Sequence, residues 1–313
     1  MSLLGELQRF LGGRVEASAP LAPRTSVRVG GAAELLASPA TLDALATLLA
    51  VCADRDVPYR VLGGGANTIV SDEGVRGVVV KLPPELFLEE SGEDAQGPWV
   101  KLGAGQPIAS LLRHAKAKGL TGMEFMAGIP GTIGGAVAMN AGTKTGWTGN
   151  IVEELAVCEP AGPRVLAREE VGFRYRHTSL SPLAVVVWAK FRLQRGDVTA
   201  SRAAMEQDLA NRKRTQPLNL PNSGSVFRNP DGDFAARLVE ASGLKGLRQG
   251  DAQISEVHAN FIVNRGEAKA SDVVALMKRM QDEVRARHGV QLVPEVKLFG
   301  EFDPAGLPAG LTH

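Results

Sequence analysis

Two stretches of the sequence gather bare backbone. The first, Gly63-Gly64-Gly65-Ala66-Asn67-Thr68, follows the apolar segment "YRVL", and the second, "GIPGTIGGAVAMNAG" at 128–142, holds five glycines among small apolar residues. Glycine inside an element costs roughly 0.5–1 kcal/mol against alanine, so such clusters mark either a partner approaching the main chain or a loop crossing tightly under its own sheet. As a binding surface, Gly63, Gly64, Gly65, Ala66, Gly128, Ile129, Gly131, Gly134, Gly135 and Gly142 offer backbone N–H groups, and Asn67, Thr68, Thr132, Ala136 and Asn140 add hydrogen bonds around them. Donors of this kind suit a pyrophosphate, and a long dinucleotide spread between two lobes uses both loops at once. The first loop is not a dinucleotide fingerprint, because "GGGANTIVSDEG" runs into another strand and turn instead of opening a helix. It also lacks the Lys-Ser/Thr ending of a phosphate-binding P-loop.

Four further segments carry polar side chains. In "FRYRHTSL" (173–180), Arg174, Arg176 and His177 surround Tyr175, and strand alternation points both arginines to one face, which is solvent or a cleft. "PNSGSVFRNP" (221–230) holds Ser223 and Ser225 in a turn-rich setting where serines ordinarily cap backbone groups. No Ser-His-Asp arrangement or Gly-x-Ser-x-Gly elbow accompanies them. His258 precedes the strand-like "NFIVN", and Glu295 sits between Pro294 and Val296, where a buried carboxylate must be paired, protonated or functional.

These residues need elements to hold them. The strand-like "AELLA", the helical spacing of Leu42, Leu45, Leu48 and Leu49, and "YRVLG" form a β-α-β pattern ahead of the first glycine loop. "WVKLGAG" reads as a strand and "PIASLLRHAKAKG" as a helix opened by Pro107 and closed by Gly119, ahead of the second loop. "SGEDAQGP" (91–98) reads as a solvated loop, and "IVEELAVCEP" and "LAVVVWAKFRLQ" as strands. Beyond residue 195 longer helices take over. Among them, "SDVVALMKRMQDEVRARHG" is expected to be capped by Ser271, with Val273, Val274, Met277, Met280 and Val284 on one core-facing stripe.

Composition narrows the function classes. Lys+Arg at 35 against Asp+Glu at 34 lacks the basic excess of a nucleic-acid binder. No apolar run is long enough to span a bilayer, and Glu6 and Arg9 interrupt the start where a signal peptide needs a continuous apolar stretch, so a cytoplasmic protein is expected. Cys52 and Cys158 form no Cys-x-x-Cys or Cys/His cluster, so neither a disulfide framework nor a metal site is expected.

Taken in order, "LGGGANTIV", "EFMAGIPGTIGGAVAMNAG", "FRYRHT", "NSGSVFRNP" and "SGLKGLRQGDAQISEVHANFIVN" resemble the UDP-N-acetylenolpyruvoylglucosamine reductase family over nearly the whole chain. The resemblance implies an α+β protein: a two-lobed FAD-binding fold of the vanillyl-alcohol oxidase (PCMH) type over 24–194 (lobes 24–84 and 97–194), followed by a C-terminal α+β substrate domain over 195–303. A helix and lead-in at 1–23 and a tail at 304–313 flank them. It implies noncovalent FAD on both glycine loops, NADPH as hydride donor and a UDP-sugar as substrate. The oligomeric state stays open and is compatible with a monomer.

Matched by position, Arg176 resembles the family's catalytic arginine, Ser225 its proton donor and Glu295 its catalytic glutamate. Asn229 and His258 resemble contacts to the sugar nucleotide, with Arg212 or Arg214 near its phosphates. Departures occur as well. After "NAG" the family commonly continues Ala-Tyr-Gly, whereas here Thr143-Lys144-Thr145-Gly146 follows. Only Tyr59 and Tyr175 are present, so the tyrosine-bearing lid of the longer subtype has no counterpart and the chain resembles the compact subtype. Two rivals are an oxidase on the same flavin fold and a non-enzymatic nucleotide-binding scaffold. Neither loop carries the His or Cys with which many such oxidases tether flavin, and a scaffold has no need of Arg176, Ser225 and Glu295 together.

Overall fold

A computed structural model describes residues 2–11, 14–87 and 89–311. Positions 1, 12 and 13 of the expected lead-in and the last two residues of the expected tail lie outside the described residues.

Helix α1 (Leu3–Leu11) and strand β1 (Val15–Pro20) precede the expected β-α-β unit, which is β2 (Ala32–Ala37), α2 (Leu42–Asp54) and β3 (Tyr59–Val61). Thr41 starts α2 by accepting the Ala44 N–H at 3.1 Å, and Leu45, Leu48, Leu49 and Cys52 are its buried stripe. After the first glycine loop come β4 (Thr68–Val70) and β5 (Val75–Val80), the latter parallel to β3 in a sheet ordered β1-β2-β5-β3.

Strands β6 (Glu90–Asp94) and β7 (Gly97–Gly103) form a hairpin where the sequence reading expected a loop at 91–98. The reading failed because β6 is exposed along its whole length and has no apolar alternation to betray it. It is held by backbone pairing and by Asp94 with Arg192 (2.8 Å) and Glu93 with Arg195 (2.6 Å).

Helix α3 (Ile108–Lys118) begins after Pro107 and ends at Gly119 in the left-handed region, as the sequence indicated. The short β8 (Leu120–Thr121) and α4 (Ile133–Ala138) lead to β9 (Val152–Glu159), β10 (Gly162–Ala167), β11 (Val185–Arg192) and β12 (Gln194–Arg195). The order β10-β9-β11-β7-β6 makes an antiparallel five-stranded sheet, and β12 pairs with β8.

Helix α5 (Val198–Thr215) is followed by β13 (Asn222–Ser225), α6 (Ala235–Ala241), β14 (Arg248–Gln249), β15 (Ala252–Ile254), β16 (Phe261–Asn264), α7 (Ala270–His288) and β17 (Lys297–Phe299). The second antiparallel sheet is β13-β16-β15-β14, and β17 runs parallel to β4. Ser271 does not cap α7. Asp72 does, accepting the N–H groups of Ala270 at 2.7 Å and Ser271 at 3.0 Å from a position 198 residues earlier in the chain.

The chain divides into two compact units. The first comprises 1–17, 35–64 and 78–212, and its core runs through Leu45, Leu102, Leu111, Val157 and Phe191. The second comprises 18–34, 65–77 and 213–313, with Ile69, Phe227, Leu238, Met277 and Leu298 in its core. Segments 18–34 and 65–77 therefore group with the C-terminal residues, and the last division between the units falls at 212/213. The stretch 65–77 does so because β4 pairs with β17, a register invisible to local patterning. Among the described residues no helix is long and apolar enough to cross a membrane, and no group of three or more His, Cys, Asp or Glu is placed to hold a metal.

Candidate active site

Within the first unit the two glycine stretches lie against each other. A Cβ on Gly64 would stand 2.7 Å from the Gly131 Cα, and one on Gly63 would stand 2.7 Å from Thr132 Oγ1. The crossing reading therefore holds for Gly63 and Gly64, which are bare because the loops cross. Others face space. Gly135 is exposed, a Cβ there would meet only Thr132 Oγ1 at 3.5 Å, and a cavity of about 110 Å³ opens between Gly63, Gly105, Thr132, Gly134 and Gly135. Thr132 caps α4 by accepting the Gly135 N–H at 3.3 Å, and Lys81 Nζ donates to the Gly63 carbonyl at 2.8 Å, fixing the first loop's peptide and bringing a cation beside it. These residues fit a pyrophosphate-bearing dinucleotide, because they supply polar backbone, a cation and a surface that any side chain at 135 would fill.

Several residues expected to touch such a ligand are occupied elsewhere. Gly65 (φ +64°) packs against Arg24 and Thr25, so its missing side chain answers to its own unit's backbone. Gly142 is tight against Gly146 and Trp147 for the same reason, Gly128 (φ +74°) lies beneath Leu209 and Arg212, and Ala136 is buried. Asn140 is 2% exposed and donates to the Arg174 carbonyl (2.8 Å) while accepting the Gly149 N–H (2.8 Å), which leaves its side chain committed to the protein. Ala66, Asn67 and Thr68 belong to the second unit, as does Gly65.

"FRYRHT" is a tight turn, not a strand: Arg174 and His177 exchange backbone hydrogen bonds of 2.9 and 3.1 Å, with Tyr175 and Arg176 at the corner. The same-face argument for the two arginines falls with it. Arg176 sits at φ +52°, an uncommon conformation for a residue with a Cβ, and its Nη2 donates to the Gly142 carbonyl at 2.7 Å. Asn140 on Arg174, Gly142 under Arg176 and Thr178 Oγ1 on the Ala138 carbonyl (3.2 Å) tie the turn to the end of the second glycine stretch. Three side-chain hydrogen bonds thus hold the turn around Arg176.

In the second unit, half-buried Ser225 ends β13, and the chain continues past it as Val226-Phe227. The Glu295 N–H donates to the Val226 carbonyl at 2.9 Å, the Arg228 N–H to Val293 at 2.9 Å, and Phe227 bridges Pro294. Ser225 and Glu295, 70 residues apart in sequence, thus lie on neighbouring hydrogen-bonded segments. Asn260 holds the serine's segment: its carbonyl takes the Val226 N–H (2.9 Å), and its side chain brackets Phe227 N–H (3.1 Å) and carbonyl (2.8 Å). Asn67 holds the glutamate's segment, donating from Nδ2 to the Glu295 carbonyl at 3.0 Å and accepting the Lys297 N–H on its own carbonyl at 2.9 Å.

The remaining expected residues are scattered. Asn229 Oδ1 accepts the Ala235 N–H (3.1 Å) at the start of α6. His258 packs edge-on against Phe261 with ring centres 4.8 Å apart, its Nδ1 accepts the Asn260 N–H at 3.3 Å, and burial pushes its pKa below the ordinary histidine value, favouring neutral imidazole. Arg212, the last residue of the first unit, is lowered in pKa by burial, and its Nε is buried without a hydrogen-bond partner among the described residues. Arg214 belongs to the second unit and is exposed. Lys81 and Asn260 escaped sequence reasoning. The signal for Asn260 was a polar residue entering the buried run "FIV", which burial obliges to be hydrogen-bonded.

Residues 33–165 match a family model described as an FAD binding domain, and residues 216–299 match one described as the C-terminal domain of UDP-N-acetylenolpyruvoylglucosamine reductase. The reductase of that name from Myxococcus xanthus is 49% identical over 96% of this chain and 97% of its own length, and that from Anaeromyxobacter dehalogenans is 49% identical over 99% and 93%. The crystal structure of the Thermus caldophilus UDP-N-acetylenolpyruvylglucosamine reductase superposes with a TM-score of 0.78 at 37% identity, covering 91% of this chain and 99% of that one. The fold is α+β, with an FAD-binding domain followed by the reductase C-terminal domain, and the cofactor is FAD. With relatives this similar over almost its whole length, the chain belongs to the UDP-N-acetylenolpyruvoylglucosamine reductase family.

Proposed function

We propose that the chain reduces UDP-N-acetylglucosamine enolpyruvate to UDP-N-acetylmuramate with NADPH, in the synthesis of peptidoglycan precursors, and that Arg176, Ser225 and Glu295 carry the chemistry. When bound, FAD supplies the relay of a hydride from NADPH to the β-carbon of the enolpyruvyl ether. Reduction at that carbon drives charge into the substrate carboxylate. Arg176 meets this charge with a planar fork of N–H donors, and Glu295, when protonated, shares a hydrogen bond with the same developing enolate. The carbon-centred anion is basic enough for a weak acid, so the Ser225 hydroxyl protonates the α-carbon. His258, neutral because of its burial, and Asn229 contact the sugar nucleotide, and Arg212 or Arg214 its phosphates.

The observation that supports this reading is the rung from the Glu295 N–H to the Val226 carbonyl, which joins the backbone segments that carry Glu295 and Ser225. The experiment is anaerobic: the protein is reduced with NADPH, then mixed with UDP-N-acetylglucosamine enolpyruvate. Return of the yellow oxidised flavin with formation of UDP-N-acetylmuramate is expected, and flavin that stays reduced under enolpyruvate but is oxidised by air would overturn the assignment.

A further inference from the structure

Asn67 sits in "GGGANT", the stretch most readily taken as a cofactor cradle, yet its side chain is turned to another task. Its Nδ2 donates to the Glu295 carbonyl at 3.0 Å, and its backbone carbonyl accepts the Lys297 N–H at 2.9 Å. One asparagine thus grips the main chain on both sides of Val296, at the entry to β17. Immediately downstream, Thr68, Ile69 and Val70 pair in register with Lys297, Leu298 and Phe299, so the grip is continuous with a parallel ladder in the core of the second unit. On the far side, the Glu295 N–H is taken by Val226. Both polar backbone groups of Glu295 are therefore satisfied, one by the serine's segment and one by Asn67.

The geometry points to Asn67 as a positioning residue for Glu295 rather than a ligand of the flavin. This rests on the reading of Glu295 as catalytic. A carboxyl that shares a hydrogen bond with a developing enolate has to be held to a fraction of an ångström, and its own side-chain torsions help only if the peptide it grows from is fixed. The Glu295 N–H is held by the bridge to Val226, but the ladder with β4 does not reach its carbonyl, because that ladder begins two residues later at Lys297. Asn67 extends the ladder backwards by one side-chain bond to reach the catalytic position. The requirement is for a donor of that length: an aspartate has the same shape but turns a lone pair toward the Glu295 carbonyl.

The test compares Asn67→Ala, Asn67→Asp and Glu295→Gln in the FAD-loaded protein, reading flavin content, melting temperature, flavin reduction by NADPH and reoxidation by enolpyruvate across pH. Both Asn67 variants are expected to keep their flavin and their rate of reduction by NADPH while losing roughly 10- to 100-fold in reoxidation, the scale of a misplacement of about 1 Å. Their reoxidation profile should move in pH, since the carboxyl at 295 changes surroundings. The double variant Asn67→Ala/Glu295→Gln should be no slower than Glu295→Gln alone, because a brace has nothing left to position. Aspartate failing as badly as alanine, with an unchanged melting temperature, separates a missing donor from missing volume. Loss of flavin in Asn67→Asp and Asn67→Ala would overturn the inference and return Asn67 to the cofactor. Normal reoxidation in both Asn67 variants beside a slow Glu295→Gln would overturn it and leave the reaction assignment standing. Normal reoxidation in Glu295→Gln would remove the catalytic glutamate and the brace with it.

Discussion

Glu295 donates its backbone N–H to the carbonyl of Val226 at 2.9 Å, one residue beyond Ser225. Serine and glutamate are therefore set by a shared rung and not by two independent loops. The proposed roles make different demands on the two half-reactions, since flavin reduction by NADPH needs no proton on substrate carbon. Ser225→Ala is expected to bleach with NADPH at nearly the parent rate and to reoxidise with enolpyruvate roughly 10²–10⁴-fold more slowly, the usual contribution of a positioned acid. Ser223→Ala is the control: its Oγ is buried with no hydrogen-bond partner among the described residues, so its removal should leave both half-reactions and stability close to the parent. Stopped-flow absorbance of the flavin reads both steps, and equal slowing of the two in Ser225→Ala would reduce the serine to a loop-shaping residue.

Arg176→Lys keeps the charge and should still be damaging. The arginine uses Nη2 on the Gly142 carbonyl at 2.7 Å and lies over Tyr175 with its guanidinium carbon 5.1 Å from the ring centre. A planar fork can hold that carbonyl while presenting further N–H groups to a carboxylate, whereas an ammonium lacks the geometry to do both. Loss of roughly 10²–10³-fold in enolpyruvate reduction is expected, the scale for removing one preorganised donor to a developing anion. Steady-state kinetics at saturating NADPH test it. A lysine variant as fast as the parent would make Arg176 a structural tie.

Where local chemistry decides an element, the sequence already shows it: Pro107 and Gly119 bound α3, and the leucine spacing of α2 names its buried stripe. Arg176, Ser225 and Glu295 stood out through family resemblance, because residue types alone left each with an ordinary alternative. What escaped was non-local. Ser271 looked like the cap of α7, but the cap is Asp72, and no window of sequence connects the two. Asn67 and Asn140 looked like cofactor donors because they neighbour glycines, yet one serves Glu295 and the other Arg174. These long-range contacts share a trait. Side chains that satisfy a distant carbonyl leave no periodicity, only a polar residue in a place where burial demands a partner.

His258 gives a prediction in pH. Burial lowers its folded-state pKa, with Lys245 lowering it further and Glu240 opposing, so the fold prefers the neutral ring. Unfolded, the ring titrates near 6.5. Above that value both states are neutral and pH has no effect through this group. As pH falls below it the unfolded chain takes up a proton that the folded chain refuses, so stability drops until the lowered folded-state pKa is reached. His258→Asn does not titrate there and can still accept the Asn260 N–H through its side-chain oxygen. Melting temperatures of the cofactor-free proteins from pH 7 downward should therefore fall more steeply in the parent than in the variant. Parallel curves would show that the histidine is not held neutral.

The glycine loops offer the last test, and the structure changes which glycine to use. Gly65 has φ +64° and no room, since a Cβ would press on the Arg24 carbonyl and stand 2.7 Å from the Thr25 Cα. Gly65→Leu should therefore lower the melting temperature of the cofactor-free protein and says little about flavin. Gly135 is the reverse case: it lies in α4, is exposed, lines the cavity, and has only Thr132 Oγ1 near the position of a Cβ. Replacing a helical glycine by leucine removes a propensity penalty of about 0.8–1 kcal/mol, so the cofactor-free protein should melt no lower than the parent. The added side chain would fill the space in which the cofactor's phosphates are expected, and flavin binding should be largely lost. Flavin absorbance per protein after saturation with FAD, together with the melting temperatures, measures both effects. A Gly135→Leu protein that retains full flavin would move the cofactor away from this cradle.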